Sequence, residues 1–426
     1  MKKKLIALVL ILAIVSGSLF AAGAKEAAPT GKTNLVWALW DTALVTYYEP
    51  LINAYQAKNP NVTIEMLDLG SADFQTMLST QLTGGDNTID IISVKDIPGY
   101  STMIRAGQLL PLNDYVVQEG IDTSVYGGII DQITVGGKFY ALPFRSDFWV
   151  VYYNKDVFDA AGIAYPGNNM TLKEYDALAR KVVSGSGANK IYGAHYHTWR
   201  SAVQLFGVLD GKNSIVGGEY AFLEPTYQLI LDEMRDGVAM DYGTAKTTST
   251  HYSGVFENGS VAMLNMGSWF LSTVIADIKS GKADIKNWGI VKYPHPDGVA
   301  EGTTLGTITS LAVNAKSRNQ QASLDFIKFV TGAEGAEIIA STGTIPAIRT
   351  EAVLDAISSM AGFPQDDASR EALKVTKTFL EMPLDERSAD IEVVLNANHD
   401  NIMTRNTSIR DGLAKMSREV QAILNR

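Results

Sequence analysis

Carboxylates, rings and hydroxyls fall together in a few short stretches: Trp40-Asp41, Ser93 with Asp96, and His195-Tyr196-His197-Thr198-Trp199. An aspartate accepts hydrogen bonds from hydroxyls or joins a second carboxylate in acid–base work, and an indole packs on apolar faces. In His195-x-His197 alternate residues share a strand face, which is the start of a metal site. No third ligand stands at readable spacing, so no metal and no other cofactor is expected. Gly31-Lys32-Thr33 imitates the end of a phosphate-binding loop, but Glu26 occupies the position where the first glycine is needed, and no strand precedes it. Neither a strand-linked G-x-G-x-x-G nor a G-x-S-x-G elbow occurs.

The elements that must position these residues alternate between strand and helix. Leu35, Trp37 and Leu39 alternate as a strand ending at Trp40-Asp41. Tyr47, Leu51 and Tyr55 recur at helical spacing until Asn59-Pro60. Val62, Ile64 and Met66 mark a second strand. Phe74, Met77, Leu78 and Leu82 mark a helix stopped by Gly84-Gly85, and residues 89–92 form a third strand. Such alternation implies right-handed crossovers and a largely parallel sheet, with ligands beyond the carboxyl ends of its strands. That rule points to Trp40, Asp41, Ser93 and Asp96. After Gly136-Gly137 the β-prone run 148–153 opens a second α/β series. It contains a capping box at Thr171 and Glu174, strands over 191–194 and 261–264, and a helix from Pro225 through Met234. A strand over 307–313 precedes the helix of Leu324, Ile327 and Val330, and residues 350–426 read as helices, the last capped by Ser408.

At 426 residues the chain is too long for one compact core, so two lobes are expected. Cysteine is absent, which excludes disulfides, thiolate metal sites, a cysteine nucleophile and a lipidated cysteine. A net charge of −10 argues against a grip on nucleic acid. Lys2, Lys3 and Lys4, the apolar run 5–15 and Ala21-Ala22-Gly23-Ala24 have the order of a Sec signal peptide. Residues 1–24 are therefore expected to be removed, 25–33 to form a tether, and the product to reside in the periplasm without a lipid anchor. There it would meet little ATP and few reduced nicotinamides.

Gly137-Lys138-Phe139-Tyr140-Ala141-Leu142-Pro143, followed by Val151-Tyr152-Tyr153-Asn154-Lys155-Asp156-Val157-Phe158-Asp159-Ala160-Ala161-Gly162-Ile163, resembles the signature of family 1 extracellular solute-binding proteins. These are the maltose-binding-protein-like receptors of ATP-binding-cassette sugar importers. Val255-Phe256-Glu257-Asn258-Gly259-Ser260-Val261-Ala262-Met263 with Gly267-Ser268-Trp269 is similar to the family's segment before its second-lobe ligand aromatic. Ala322-Ser323-Leu324-Asp325-Phe326-Ile327-Lys328-Phe329-Val330 with Gly343-Thr344-Ile345-Pro346-Ala347 is similar to its returning first-lobe helix. These islands span residues 35 to about 350 in the family's order.

The resemblance implies a two-lobed periplasmic-binding-protein fold, type II-like, with each lobe a mostly parallel sheet flanked by helices and joined by crossing hinge segments. An N-terminal lobe of 34–146 plus 308–355 and a C-terminal lobe of 147–307 plus 356–426 follow. The implied partners are a carbohydrate ligand and membrane permease subunits of an ABC importer, with a monomeric receptor, no enzyme activity and no nucleic acid. A sugar needs acceptors for its hydroxyls and rings for its C–H faces. Asp147 stands where the family places a ligand carboxylate, or pairs with Arg145 as a hinge charge. Trp269 is the stacking candidate, with Gly267 permitting close approach. Tyr196, His197 and Trp199 are second-lobe candidates. Trp40 is either a ligand contact or core, Asp41 a ligand contact or helix cap, and Asp96 a hydroxyl acceptor or a turn residue before Pro98. Two alternatives remain open: Arg145 gripping an anionic sugar derivative, or two of Asp41, Asp96 and Asp147 serving an exported glycoside hydrolase.

Overall fold

The computed structural model describes residues 31–426 apart from Ala72, Asp86, Gly127 and Thr376. The expected signal peptide over 1–24 and tether residues 25–30 lie outside the described residues. The strands are β1 (Thr33–Leu39), β2 (Val62–Asp68), β3 (Ile91–Val94), β4 (Leu142–Asn154), β5 (Tyr192–His195), β6 (Val261–Gly267), β7 (Trp288–Lys292), β8 (Thr303–Val313) and β9 (Lys377–Leu380). Among the described residues they join in the order β2-β1-β3-β8-β4-β6-β5, with β7 on β4 and β9 on β8.

This path makes two lobes because β4 is shared between them. Its first half, Leu142 to Phe148, pairs antiparallel with β8, which in turn pairs with β3 of the first lobe. Its second half, Trp149 to Asn154, lies between β6 and β7 of the second lobe. Thirteen mostly buried residues let one strand serve both sheets, and Arg145 is the one residue of β4 that is not fully buried. The sheet is mixed. The pairs β1–β2, β1–β3 and β5–β6 are parallel, as strand–helix alternation requires, whereas the crossing strands enter antiparallel. A third crossing is made by β9, parallel to the start of β8.

Local chemistry sets the helix ends nearest the cleft. Asp96 caps the helix Ile97–Arg105, its carboxylate accepting the Gly99 N–H at 2.7 Å, with Pro98 in the first turn. The capping box forms: Thr171 accepts from the Glu174 N–H while Glu174 accepts from Thr171 N–H. The long helix Ser388–Met403 packs against both Ile409–Leu424 and Ile97–Arg105, and the Ser101 hydroxyl donates to the Asp385 carbonyl at 2.6 Å.

Two local expectations are corrected, and one strand was not expected. Ser93 lies inside β3 rather than in the loop beyond it, because its hydroxyl accepts the Trp37 indole N–H at 2.8 Å within the core. Residues 350–426 are not wholly helical, since β9 interrupts them with four half-exposed residues supported by one neighbouring strand. β7 has no counterpart in the sequence reading. Its five residues are all buried and so show no alternation to read.

Candidate functional site

At the hinge, Arg145 and Asp147 lie on one face of β4, two residues apart. Arg145 Nε stands 2.8 Å from Asp147 Oδ2, close in charge but without hydrogen-bond alignment. Arg145 also donates through Nη1 to the Tyr47 hydroxyl at 2.9 Å and through Nη2 to Thr309 Oγ1 at 3.1 Å. Asp147 is fully buried and accepts from the Ser268 hydroxyl at 2.9 Å. Burial raises its pKa, and Arg145, Ser268 and Arg349 oppose that rise.

On the first-lobe side, Asp41 follows β1 in the left-handed region at φ 51°, a conformation aspartate tolerates, and accepts from Ser71 N–H at 3.2 Å. Trp40 is nearly buried, packs edge-on against Phe74 and lies 5.3 Å from Lys95 Nζ. Lys95 donates to the Ser71 carbonyl at 2.6 Å and hydroxyl at 2.8 Å, and Asp96 and Asp41 both act on its charge. Burial raises the pKa of Asp96, against the Gly99 N–H.

The second lobe contributes rings. Trp269 follows β6, and a methyl group on Gly267 would overlap its indole, so the bare glycine lets the ring lie across the strand end. Trp269 stands 5.7 Å from Trp149 and 6.2 Å from Trp199 by ring centres, and Trp199 is 41% exposed. His197 meets Trp199 edge-on at 4.4 Å and Tyr252 at 5.3 Å. Tyr252 also feels the charges of Arg145, Asp147 and Asp41, which brings it to the hinge and to the first-lobe rim. Arg200 clasps Glu392 of the helix Ser388–Met403 through Nε at 2.9 Å to both oxygens, and the charge of Glu392 reaches Asp96. At the third crossing, half-buried Glu381 accepts the Trp149 indole N–H. Burial pushes its carboxyl up to about 7 despite that bond and Arg200.

The structure therefore sets Trp40, Asp41 and Asp96 at the ends of β1 and β3, Arg145 and Asp147 at the hinge between the lobes, and His197, Trp199, Gly267 and Trp269 in one second-lobe cluster. Tyr196 stands apart. Alternation along the extended chain turns it inward, where it lies beside Glu233, Tyr175 and Tyr293. Sequence reasoning missed His251, Tyr252, Arg200, Glu381 and Glu392. Arg200 was within reach as the neighbour of Trp199, whereas Glu381 and Glu392 lie in segments without a strand-end rule. His195 and His197 face one way, with ring centres 6.4 Å apart, but among the described residues no group of three or more potential ligands could hold a metal. Burial, reinforced by His251, pulls His195 down to about 4, and burial with His195 and His251 pulls His197 down to about 3.

The buried cluster around Tyr196 and Glu233 sets a pH dependence. Burial, then Asp176, pushes Glu233 up to about 8 from a usual 4.5. The folded chain keeps that proton through a range where the unfolded chain has lost it. This contribution to stability is thus complete below about pH 4.5 and disappears as pH rises through about 8. The depressed histidines act oppositely, contributing above their usual 6.5 and losing that contribution as pH falls toward 3 to 4. Glu233→Gln keeps the neutral shape and removes only the first effect. Its unfolding free energy, measured by urea titration, is expected to gain on wild type progressively between pH 5 and 8, by about 2–4 kcal/mol in total. A constant difference across that range would contradict the assignment.

The family model described as bacterial extracellular solute-binding protein matches residues 41–337. A sugar transporter from Rhizobium etli, solved in an open conformation, is 55% identical with a TM-score of 0.82, over 92% of this chain and 99% of that one. The ABC substrate-binding protein of Listeria monocytogenes in complex with cycloalternan shares the fold at 21% identity and a TM-score of 0.80, over 92% and 99% of the two chains. A lactose-binding protein of Rhizobium radiobacter is 25% identical over 309 residues, 68% of each chain.

Proposed function

The chain belongs to the family of bacterial extracellular solute-binding proteins, and on that premise we propose that it is a periplasmic receptor that carries a neutral sugar, oligosaccharide or polyol to an ABC importer. The observation that carries the reading is the meeting of a ring-lined lobe (Trp199, Tyr252, Trp269) with an acid-bearing one (Asp41, Asp96) across the Arg145–Asp147 pair. Rings suit the C–H faces of a sugar and carboxylates its hydroxyls. The names of the Rhizobium relatives, a sugar transporter and a lactose-binding protein, favour the same class of cargo. Export without a lipid anchor agrees with the absence of cysteine.

Neutral cargo is favoured over anionic because the cations of the cleft are engaged. All three guanidinium nitrogens of Arg145 face partners, Arg200 holds Glu392, and Lys95 lies under the influence of Asp96 and Asp41. A hydrolase is disfavoured on similar grounds, since Asp147 is enclosed by Arg145 and Ser268, and Asp96, with one oxygen fixed by a helix cap, is held in place as an acceptor. A thermal-shift panel of neutral sugars, polyols, uronic acids and glycerophosphodiesters at low and high salt is the test. Neutral compounds should raise the melting temperature by linkage, with little salt dependence. A shift confined to the acids and abolished by salt would reverse the choice of cargo, and release of reducing ends from oligosaccharides would end the receptor reading.

A further inference from the structure

We infer that the hinge carries a second ligand site, on the face away from the sugar cleft, for a small organic carboxylate with an aliphatic body. Alternation along β4 sends Arg145 and Asp147 to one face and Ser146 and Phe148 to the other. Against that other face lies a cavity of about 420 Å³, a volume suited to a small molecule. Arg349 is its cationic anchor. The guanidinium sits 5.6 Å from the Phe148 ring, and its Nη1 is buried without a hydrogen-bond partner. The nearby acid is Asp147, whose Oδ1 accepts from Ser268 while Oδ2 faces Arg145 at 2.8 Å across the strand.

A buried guanidinium donor without an acceptor costs stability, so an acceptor brought from outside is favoured there, and a carboxylate fits the fork of an arginine. The hydroxyl-bearing side chains of Ser146, Thr307 and Thr378 line the same space and can complete the acceptor's shell. Tyr126 and Gln132 add further polar groups, and an aliphatic patch that includes Ile129, Ile308 and Leu354 faces the same space. A cationic, hydroxyl-bearing end beside an aliphatic patch suits a carboxylate with a short hydrocarbon tail, whereas inorganic phosphate would leave that patch uncovered. Lys374, at the rim, is paired with Glu371 at 3.2 Å and adds little net charge.

Isothermal titration and ligand-observed NMR with butyrate, on the intact protein, test the assignment without reference to sugar binding. Butyrate should bind saturably to wild type and equally to Trp269→Ala, and about tenfold or more weakly to Arg349→Gln. Absence of saturable binding would show that water alone satisfies Arg349 and would overturn the site. Unchanged affinity in Arg349→Gln, loss in Trp269→Ala, or tighter binding of phosphate than of butyrate would overturn it equally. Should Arg349→Gln fail to fold, wild-type crystals soaked with 3-bromopropionate decide. An anomalous bromine peak among Ser146, Arg349 and Thr378 supports the site, and its absence there refutes it.

Discussion

Replacing Trp269 with alanine is expected to weaken sugar binding by roughly thirtyfold or more, because an aromatic anchor contributes about 2 kcal/mol or more when it packs against a ligand face. The apo melting temperature should move little. The indole is only partly buried: Trp149 meets it edge-on, Trp199, itself exposed on the rim, lies beside it, and Tyr252 also contacts it. Titration of the best sugar from the thermal-shift panel against both proteins, with parallel melts, separates affinity from stability. Large apo destabilisation with intact affinity would assign Trp269 to the core instead. Gly267→Ala makes the inference sharper, since it leaves the tryptophan in place but puts a methyl group where the ring now lies. The ring must then swing away, so affinity should fall about as far as in Trp269→Ala. Equal binding by Gly267→Ala and wild type would mean that the observed ring position is unimportant.

The first lobe was legible because β1 and β2 are partly exposed and alternate, and because loops after parallel strands have fixed placement. Trp40, Asp41 and Asp96 do follow β1 and β3 as that rule requires, whereas Ser93, named by the same rule, lies inside β3. The second lobe was legible mainly through resemblance. β6 and β7 are buried on both faces and show no alternation, so nothing in their own pattern tells where Gly267 and Trp269 will point. Tyr196 illustrates the limit. Adjacent residues of an extended segment face opposite ways, and sequence offers no means of telling whether the even or the odd member of Tyr196-His197 turns to the core. Glu381 and Glu392 were beyond reach for a different reason. They arrive at the hinge through a crossing strand and a helix whose docking depends on contacts across hundreds of residues, such as Trp149 with Glu381 and Arg200 with Glu392. Asp147 could be placed on the hinge, but its enclosure by Arg145 and Ser268 is a product of three strands meeting.

That enclosure makes Asp147→Ala the substitution with the largest expected effect on stability. Taking away the carboxylate leaves Arg145 in the hinge with its charge unanswered, and breaking a buried pair by removing one partner typically costs about 3–5 kcal/mol. Two neutral bonds, to Tyr47 and Thr309, remain to hold the guanidinium, so the loss should fall within that range rather than unfold the chain outright. Urea unfolding at neutral pH measures it, and a loss under about 1 kcal/mol would show that the pair behaves as an exposed one. The companion Arg145→Met with Asp147→Leu removes both charges at once. A buried ion pair is weak evidence of net stability, because its Coulomb gain is offset by the water both groups forfeit. The double variant should therefore recover most of what Asp147→Ala loses. Sugar affinity should not recover with it, since Tyr47 and Ser268 would no longer be held against the two crossing strands at the floor of the cleft. Recovery of both properties would leave the pair no part in binding, and recovery of neither would mean that the polar contacts, not the charges, hold the hinge together.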